Sequence, residues 1–420
     1  MVATSSTAEL IQADDGVSLK TKLARAERWR KLGAFALVAP LFLFLMVTFI
    51  SPIFSMLSLS VENAVVPKIL PKTAELLQEW DGVGLPDPEV FQAFAIELAA
   101  AKKAKIHGRV AKRLNYEISG YRSMIKTSAR KIPPPETSDD EIIDAFIAVD
   151  KRWGETKYWT TIKTASPAYT AFYLLTAIDK RIDGQGNIID APKRVSIYVH
   201  MLFQTIWMSF VVTALCLLLG FPISYLLATL PTRKSNILLL LVLLPFWTSL
   251  LVRTTAWVVL LQTHGLVNDL AVMIGLWDER IQLIHNRLGV YIAMVHILLP
   301  FMVLPIFAVM KGISPSNMRA GISLGAHPLR SFIIVYLPQT IPGIGAGVLL
   351  VFIISLGYYI TPALVGGPKD QMLSFFIAFN TNVAVNWGLA AALSVVLLSV
   401  VMVFFAMYNK LVGVDNLKLS

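Results

Sequence analysis

Acidic side chains are missing from the long apolar runs of this sequence: none of its six such runs contains an aspartate or a glutamate. Charged residues of any kind make up only 15% of its 420 positions. Cysteine is nearly absent too. The single one, Cys216, lies inside an apolar run, which leaves no disulfide framework and no thiolate metal cluster. The chain has no phosphate-cradling GxxxxGK loop, no HExxH, no GxSxG and no carboxylate pair within a run, so no catalytic residue and no metal site is assigned. The segment Gly343-Ile-Gly-Ala-Gly347 imitates a dinucleotide fingerprint, but it sits in an apolar helix with no strand before it. Small residues for close helix packing are the better reading.

What is abundant is apolar side chain, at 55% of the residues with a mean hydropathy of +0.64. That is the composition of a membrane protein. The net charge of +10 does not point to nucleic acid, because the basic residues flank apolar runs instead of interleaving with aromatics on a soluble module.

Residues 1–31 are polar and then basic, and a first spanning helix is expected over 33–57. The long leader and the lack of a small-residue cleavage site argue against a removable signal peptide. Five further runs, near 201–229, 236–262, 288–310, 341–363 and 386–409, each have about the length needed to cross a ~30 Å hydrocarbon core. With the N-terminus inside, Arg233 and Lys234, the loop 311–340, and the tail 411–420 with Lys418 all fall in the cytoplasm, as the positive-inside rule requires. The expected fold is therefore an all-α polytopic membrane protein of six transmembrane helices. Its core spans 200–410, and both termini are cytoplasmic.

Between the first two spans, residues 60–199 form an insertion too long to be a plain connection. It carries 20 Lys or Arg against 18 Asp or Glu, yet 102–131 alone holds ten basic residues against the one acid Glu117. Long loops translocate largely regardless of charge, so the segment is placed outside. Helices are expected over 73–80, 87–106, 110–125, 139–150 and 167–182, separated by GVGLPDP, KIPPPETS and DGQGN. Either the basic stretch meets an acidic partner rim, or it is a solvated face packed on the spans.

Arg253 is the only charged side chain within the six runs, and an ionisable group at membrane depth is a functional candidate. It either lines a pathway or clamps helices, or it snorkels to the outer interface. Trp247, Trp257, His296, Tyr358, Tyr359, Asn380 and Asn382 join it as candidates for a substrate pathway. The run 371–385 is short for a span and reads as re-entrant or interfacial.

The loop between the fourth and fifth runs holds a short isolated helix. Ser314 is its N-cap, Pro315 its first residue and Gly325 its stop. A helix so short needs a surface to pack on. The string from Arg319 through Ala320, Gly321, Ile322, Leu324, Gly325 and Ala326 to Pro338 resembles the EAA loop of permease subunits in ATP-binding-cassette importers. Leu244–Trp257, Leu299–Pro305 and Thr361–Pro368 look like the spermidine/putrescine-type branch of that family.

The resemblance covers about 200–410 and the first span, and implies a type I importer permease in a bacterial inner membrane. It implies that Pro315–Ala326 docks, with Met318 and Ile322 as an apolar strip, into one of two separate ATPase subunits that bind the ATP and Mg. No cofactor is implied in this chain. A second, non-identical permease, an extracytoplasmic binding protein and membrane lipid complete the implied partners. Two departures stand out: Arg319 and Gly321 replace the family's glutamate and second alanine, and Gly357-Tyr358-Tyr359 lacks the glutamate usual in polyamine permeases. The solute is therefore a small polar one, a polyamine, an opine or amino-acid-like. A secondary transporter and a membrane-tethered sensor are the competing classes, and the absence of intramembrane acids disfavours the first.

Overall fold

The computed structural model describes residues 19–131, 133, 138–183 and 187–412. The expectations for the start of the N-terminal segment, for Lys418, for Pro134 and Pro135 and for the Gly-Gln-Gly turn lie outside those residues. The chain forms two compact units, Met1–Ser58 and Leu59–Ser420.

Among the described residues of the first unit, one apolar helix, α1 (Arg25–Ser58), is long enough to cross a membrane. It widens to a π-helical turn at Met46–Ile50, where the Ser51 N–H bonds the Met46 carbonyl. The physical cause is Pro52. Its ring has no N–H for the carbonyl four residues back and clashes with it, and a wider turn relieves both.

The second unit begins with the insertion, which has a core of its own. Phe91, Phe94, Tyr121, Phe146, Trp153 and Trp159 are fully buried against one another, with the Phe91–Trp159 and Phe94–Trp153 ring centroids 4.3 and 4.9 Å apart. Both indoles are satisfied: Trp153 Nε1 donates to Ser128 Oγ at 2.7 Å and Trp159 Nε1 to the Trp153 carbonyl at 3.0 Å. The helices at Pro71–Glu79, Pro88–Lys103 and Asp139–Val149 answer to three of the expected ones. The expected helix 110–125 is two, His107–Asn115 and Tyr121–Arg130. Gly120 breaks it at φ +95°, while Asn115 Oδ1 accepts the N–H groups of Gly120 and Arg122. The expected helix 167–182 is reduced to Phe172–Ala177, followed by an antiparallel hairpin, Lys180–Ile182 with Ile188–Asp190. Thr156–Thr164 is a further helix that the sequence reading did not anticipate.

The apolar core packs three long helices together: α2 (Tyr198–Thr229), α5 (Arg287–Gly312) and α7 (Pro328–Gly357). Between α2 and α5 the chain runs through α3 (Thr232–Leu243), a 3-10 turn at Leu244–Trp247 and α4 (Leu250–Leu260). The expected third span is thus not straight, since its two halves meet at 97°. Distance along a straight helix therefore does not give the depth of Arg253. Among the described residues five helices pass as candidate spans, or six if the bent pair counts as one.

The helix expected at 341–363 begins much earlier, at Pro328, and ends at Gly357. It too carries a π turn, Phe332–Tyr336, again ending two residues before a proline, here Pro338. The Gly343–Gly347 segment packs closely, as expected. A side chain at Gly343 would meet Val309 and the Pro305 carbonyl, one at Gly347 would meet Met302, and one at Gly345 would meet Tyr408 of α9 (Trp387–Val412). The run 371–385 is a short helix, α8 (Leu373–Asn382), against α2 and α9.

The insertion caps one end of this core. Asp179 accepts three N–H groups at the start of α2, from Ile197 and Tyr198 at 3.0 Å and from Val199 at 2.9 Å. Lys112 Nζ bonds the Val385 carbonyl at 3.1 Å, just before α9, and the Tyr173 ring lies against Gly388. The far end of α2 meets the start of α7, where the Tyr225 ring lies 5.5 Å from both Phe332 and Tyr336. The insertion and the 311–340 loop therefore occupy opposite ends of the core.

Candidate functional site

The loop helix is α6 (Pro315–Ser323). Ser314 Oγ accepts the Ser316 N–H, and Gly325 ends the helix at φ +89° with its N–H on the Ile322 carbonyl. One face of α6 is pinned to α7: Ser331 Oγ donates to the Met318 carbonyl at 3.1 Å, and Asn317 Nδ2 donates to Gln339 Oε1 at 2.9 Å. Gly321 is what permits this approach, because a methyl there would sit 2.5 Å from Ser331 Oγ. None of the α6 side chains is buried. Met318 and Ile322 do not form one free strip as expected, since Met318 is half-covered. The exposed apolar groups are Ile322, Leu324 and Leu329, with Leu324 89% exposed. Arg319, Ala320, Pro315 and Gly325 are exposed as well, Ala326 is half-buried, and Pro338 lies in α7.

A second cluster forms at the bend between α3 and α4. The Pro245 carbonyl there accepts the Thr248 N–H at 3.3 Å and the Thr248 hydroxyl at 2.9 Å, and Arg253 reaches back across the turn: Nη2 donates to the Pro245 and Thr248 carbonyls, the latter at 2.9 Å. Arg253 also lies within electrostatic reach of His296 and Tyr358. Trp257 Nε1 donates to His296 Nδ1 at 3.1 Å, which fixes that imidazole as neutral with its proton on Nε2. Thr254 and Thr361 hydroxyls meet at 3.2 Å, and Ser374 Oγ donates to the Tyr358 carbonyl at 2.6 Å.

The structure thus gathers Arg253, Trp257, His296 and Tyr358. Trp247 and Tyr359 are exposed, at 72% and 39%. Asn380 belongs to a different place, bonded to the Phe376 carbonyl at 2.9 Å and to the Tyr198 hydroxyl, and Asn382 is exposed.

The sequence reading missed a third contact set, Arg287 with Asp370 at 3.0 Å and with Gln204 Oε1 at 3.3 Å, which ties α5, α2 and the loop after Gly366-Gly367. Partners separated by 83 positions leave no local signal.

No protein-family model matches the sequence. Curated relatives do. The spermidine/putrescine transport system permease protein PotB of Salmonella typhimurium (strain LT2) is 32% identical over 239 residues, 57% of this chain and 82% of the relative. Its namesake in Escherichia coli (strain K12) is 33% identical over 212 residues, 50% of this chain and 77% of the relative.

The chain belongs to the permease family of ATP-binding-cassette importers, on its spermidine/putrescine-type branch.

A further family member, the inner membrane ABC transporter permease protein YdcU of Escherichia coli (strain K12), is 29% identical over 52% of this chain and 73% of its own length. Among solved structures, a bacterial ABC transporter involved in the import of alginate matches 50% of this chain and 80% of its own at 20% identity, with a TM-score of 0.38. The alginate transporter in complex with a pentasaccharide-bound periplasmic protein matches 51% and 77% at 20% identity, with a TM-score of 0.40. At these scores the family assignment rests on the sequence relatives alone. As a member of this permease family the chain is a transport protein of the membrane, and its relatives are permease subunits and not enzymes.

Proposed function

We propose that this chain is the transmembrane subunit of a binding-protein-dependent importer for a small amine-bearing polar solute, driven by ATP hydrolysis in two partner subunits. In this reading the six spans place both termini and α6 in the cytoplasm and the insertion outside. One observation carries it: α6 is rigidly pinned to α7 through Ser331 and Gln339, yet offers Ile322, Leu324 and Arg319 to solvent. A helix fixed on one side and free on the other transmits a push as a rigid body. The residues that would carry it are Pro315, Met318, Arg319, Ala320, Gly321, Ile322, Leu324, Gly325, Ala326 and Pro338. Closure of the ATPase pair on α6 tilts α5 and α7 and alternates access to the pathway.

The Arg253, Trp257, His296 and Tyr358 cluster supports a pathway at the α3–α4 bend. His296 is exposed on the core's own surface, as a group completed by a second permease would be. The names of the PotB relatives support a polyamine-type solute, while the six spans, lacking acids, hold no counter-charge for a bare polycation.

The test is co-purification with the partner ATPase. Leu324→Asp and Arg319→Glu are expected to leave the protein in the membrane, to strip the ATPase from it and to abolish uptake. Retention of ATPase and uptake in both variants sinks the docking claim.

A further inference from the structure

The insertion encloses a cavity of about 320 Å³ that the importer reading does not use. Its wall is built from the helix Thr156–Thr164, from Glu117 beyond the end of His107–Asn115, and from the strand Lys180–Ile182. Glu117 is its inner charge, 14% exposed, with one oxygen on Arg113 at 2.8 Å and the other facing Thr164 at 3.4 Å. Thr160 and Thr164 share one helical face: Thr160 donates its hydroxyl proton to the Lys157 carbonyl at 3.0 Å, while the Thr164 hydroxyl lies within donating distance of the Thr161 carbonyl at 3.1 Å and of Glu117 at 3.4 Å. What the Thr160 hydroxyl turns outward is its lone pairs. The inner wall therefore accepts hydrogen bonds and carries a carboxylate, which is the chemistry that holds an ammonium group.

The rim has the opposite character. Arg181 stands there exposed, and Lys157 beside it is paired with Glu155 at 2.5 Å. The rim acid Asp183 turns its carboxylate to the Asn187 N–H at 2.9 Å. A guanidinium at the mouth repels a bare amine and attracts a carboxylate.

We infer that this cavity binds a small zwitterion, its ammonium against Glu117 and Thr160 and its carboxylate on Arg181, as a ligand site separate from the membrane pathway. The volume is at the lower end of small-molecule pockets, suited to one solute of amino-acid size.

The test uses the full-length protein in lipid nanodiscs and calorimetric titration with three probes sharing one carbon skeleton: 5-aminopentanoate, pentylamine and pentanoate. Saturable binding of 5-aminopentanoate is expected, with the two mono-functional probes weaker by about tenfold or more. Arg181→Ala, at an exposed strand position, and the shape-conserving Thr160→Val are each expected to weaken it by about tenfold. No saturable binding, pentylamine binding as tightly as 5-aminopentanoate, or an affinity unchanged in both variants overturns the inference. No transport or ATPase docking is read, so this result stands or falls apart from the importer reading.

Discussion

Ser331 Oγ, donating to the Met318 carbonyl at 3.1 Å, occupies the space that a side chain at Gly321 would need. Gly321→Ala is expected to push α6 off α7 and, on the importer reading, to lower ATPase association, at a cost of about 1–3 kcal/mol of local stability. Ser331→Ala in the same chain removes the clash and is expected to restore association. Pull-down with the partner ATPase reads both, and an unimpaired single variant counts against the contact.

Arg253 ties the 97° bend by satisfying the Pro245 and Thr248 carbonyls. Removing it strands the Thr248 carbonyl, while Pro245 keeps the Thr248 N–H and hydroxyl, at an expected cost of about 1–3 kcal/mol. Arg253→Ala is expected to lower the thermal midpoint of the detergent-solubilised protein clearly, and Arg253→Lys less so. A variant that keeps its midpoint but loses only solute affinity would instead assign Arg253 to the solute.

Asp179 supplies three acceptor contacts to the first turn of α2. Asp179→Ala is expected to cost about 1–2 kcal/mol. Hydrogen exchange at Tyr198 and Val199 is expected to accelerate, and protection equal to wild type would show that the cap is dispensable.

Asp150 and Arg152 give the insertion an acid-sensitive tie. The Arg152 guanidinium, bonded to both Asp150 oxygens at 2.9 and 2.6 Å, holds that carboxyl below its usual range. A depressed carboxylate adds stability that is present above the unfolded value, ~3.9 for Asp, and is lost as pH falls through the lower folded one. Arg152→Leu is therefore expected to unfold the insertion at a higher pH on acid titration, followed by tryptophan fluorescence from the buried Trp153 and Trp159. Coincident acid transitions in the two proteins contradict this.

Five of the six apolar runs were legible from composition, because crossing a hydrocarbon core demands a length of apolar residues that a window of sequence displays. The α6 helix was legible in Ser314, Pro315 and Gly325, since capping is local chemistry. The bend at Pro245–Ser249 was not, because the apolar pattern runs straight through it. The backbone groups freed there are bonded by Arg253 from the next helix. The start of α7 at Pro328 was hidden by Arg330 and by the proline at 338, around which a π turn carries the helix.

By itself, then, the sequence determined a membrane-spanning helical protein with a short helix in one loop, because hydropathy and capping act over a few residues. Only the tertiary structure decided what that helix is fastened to, where the insertion rests and which polar groups meet. Those depend on pairs such as Gly321 with Ser331, Asp179 with Tyr198 and Arg287 with Asp370, whose contacts exist only once distant helices are packed.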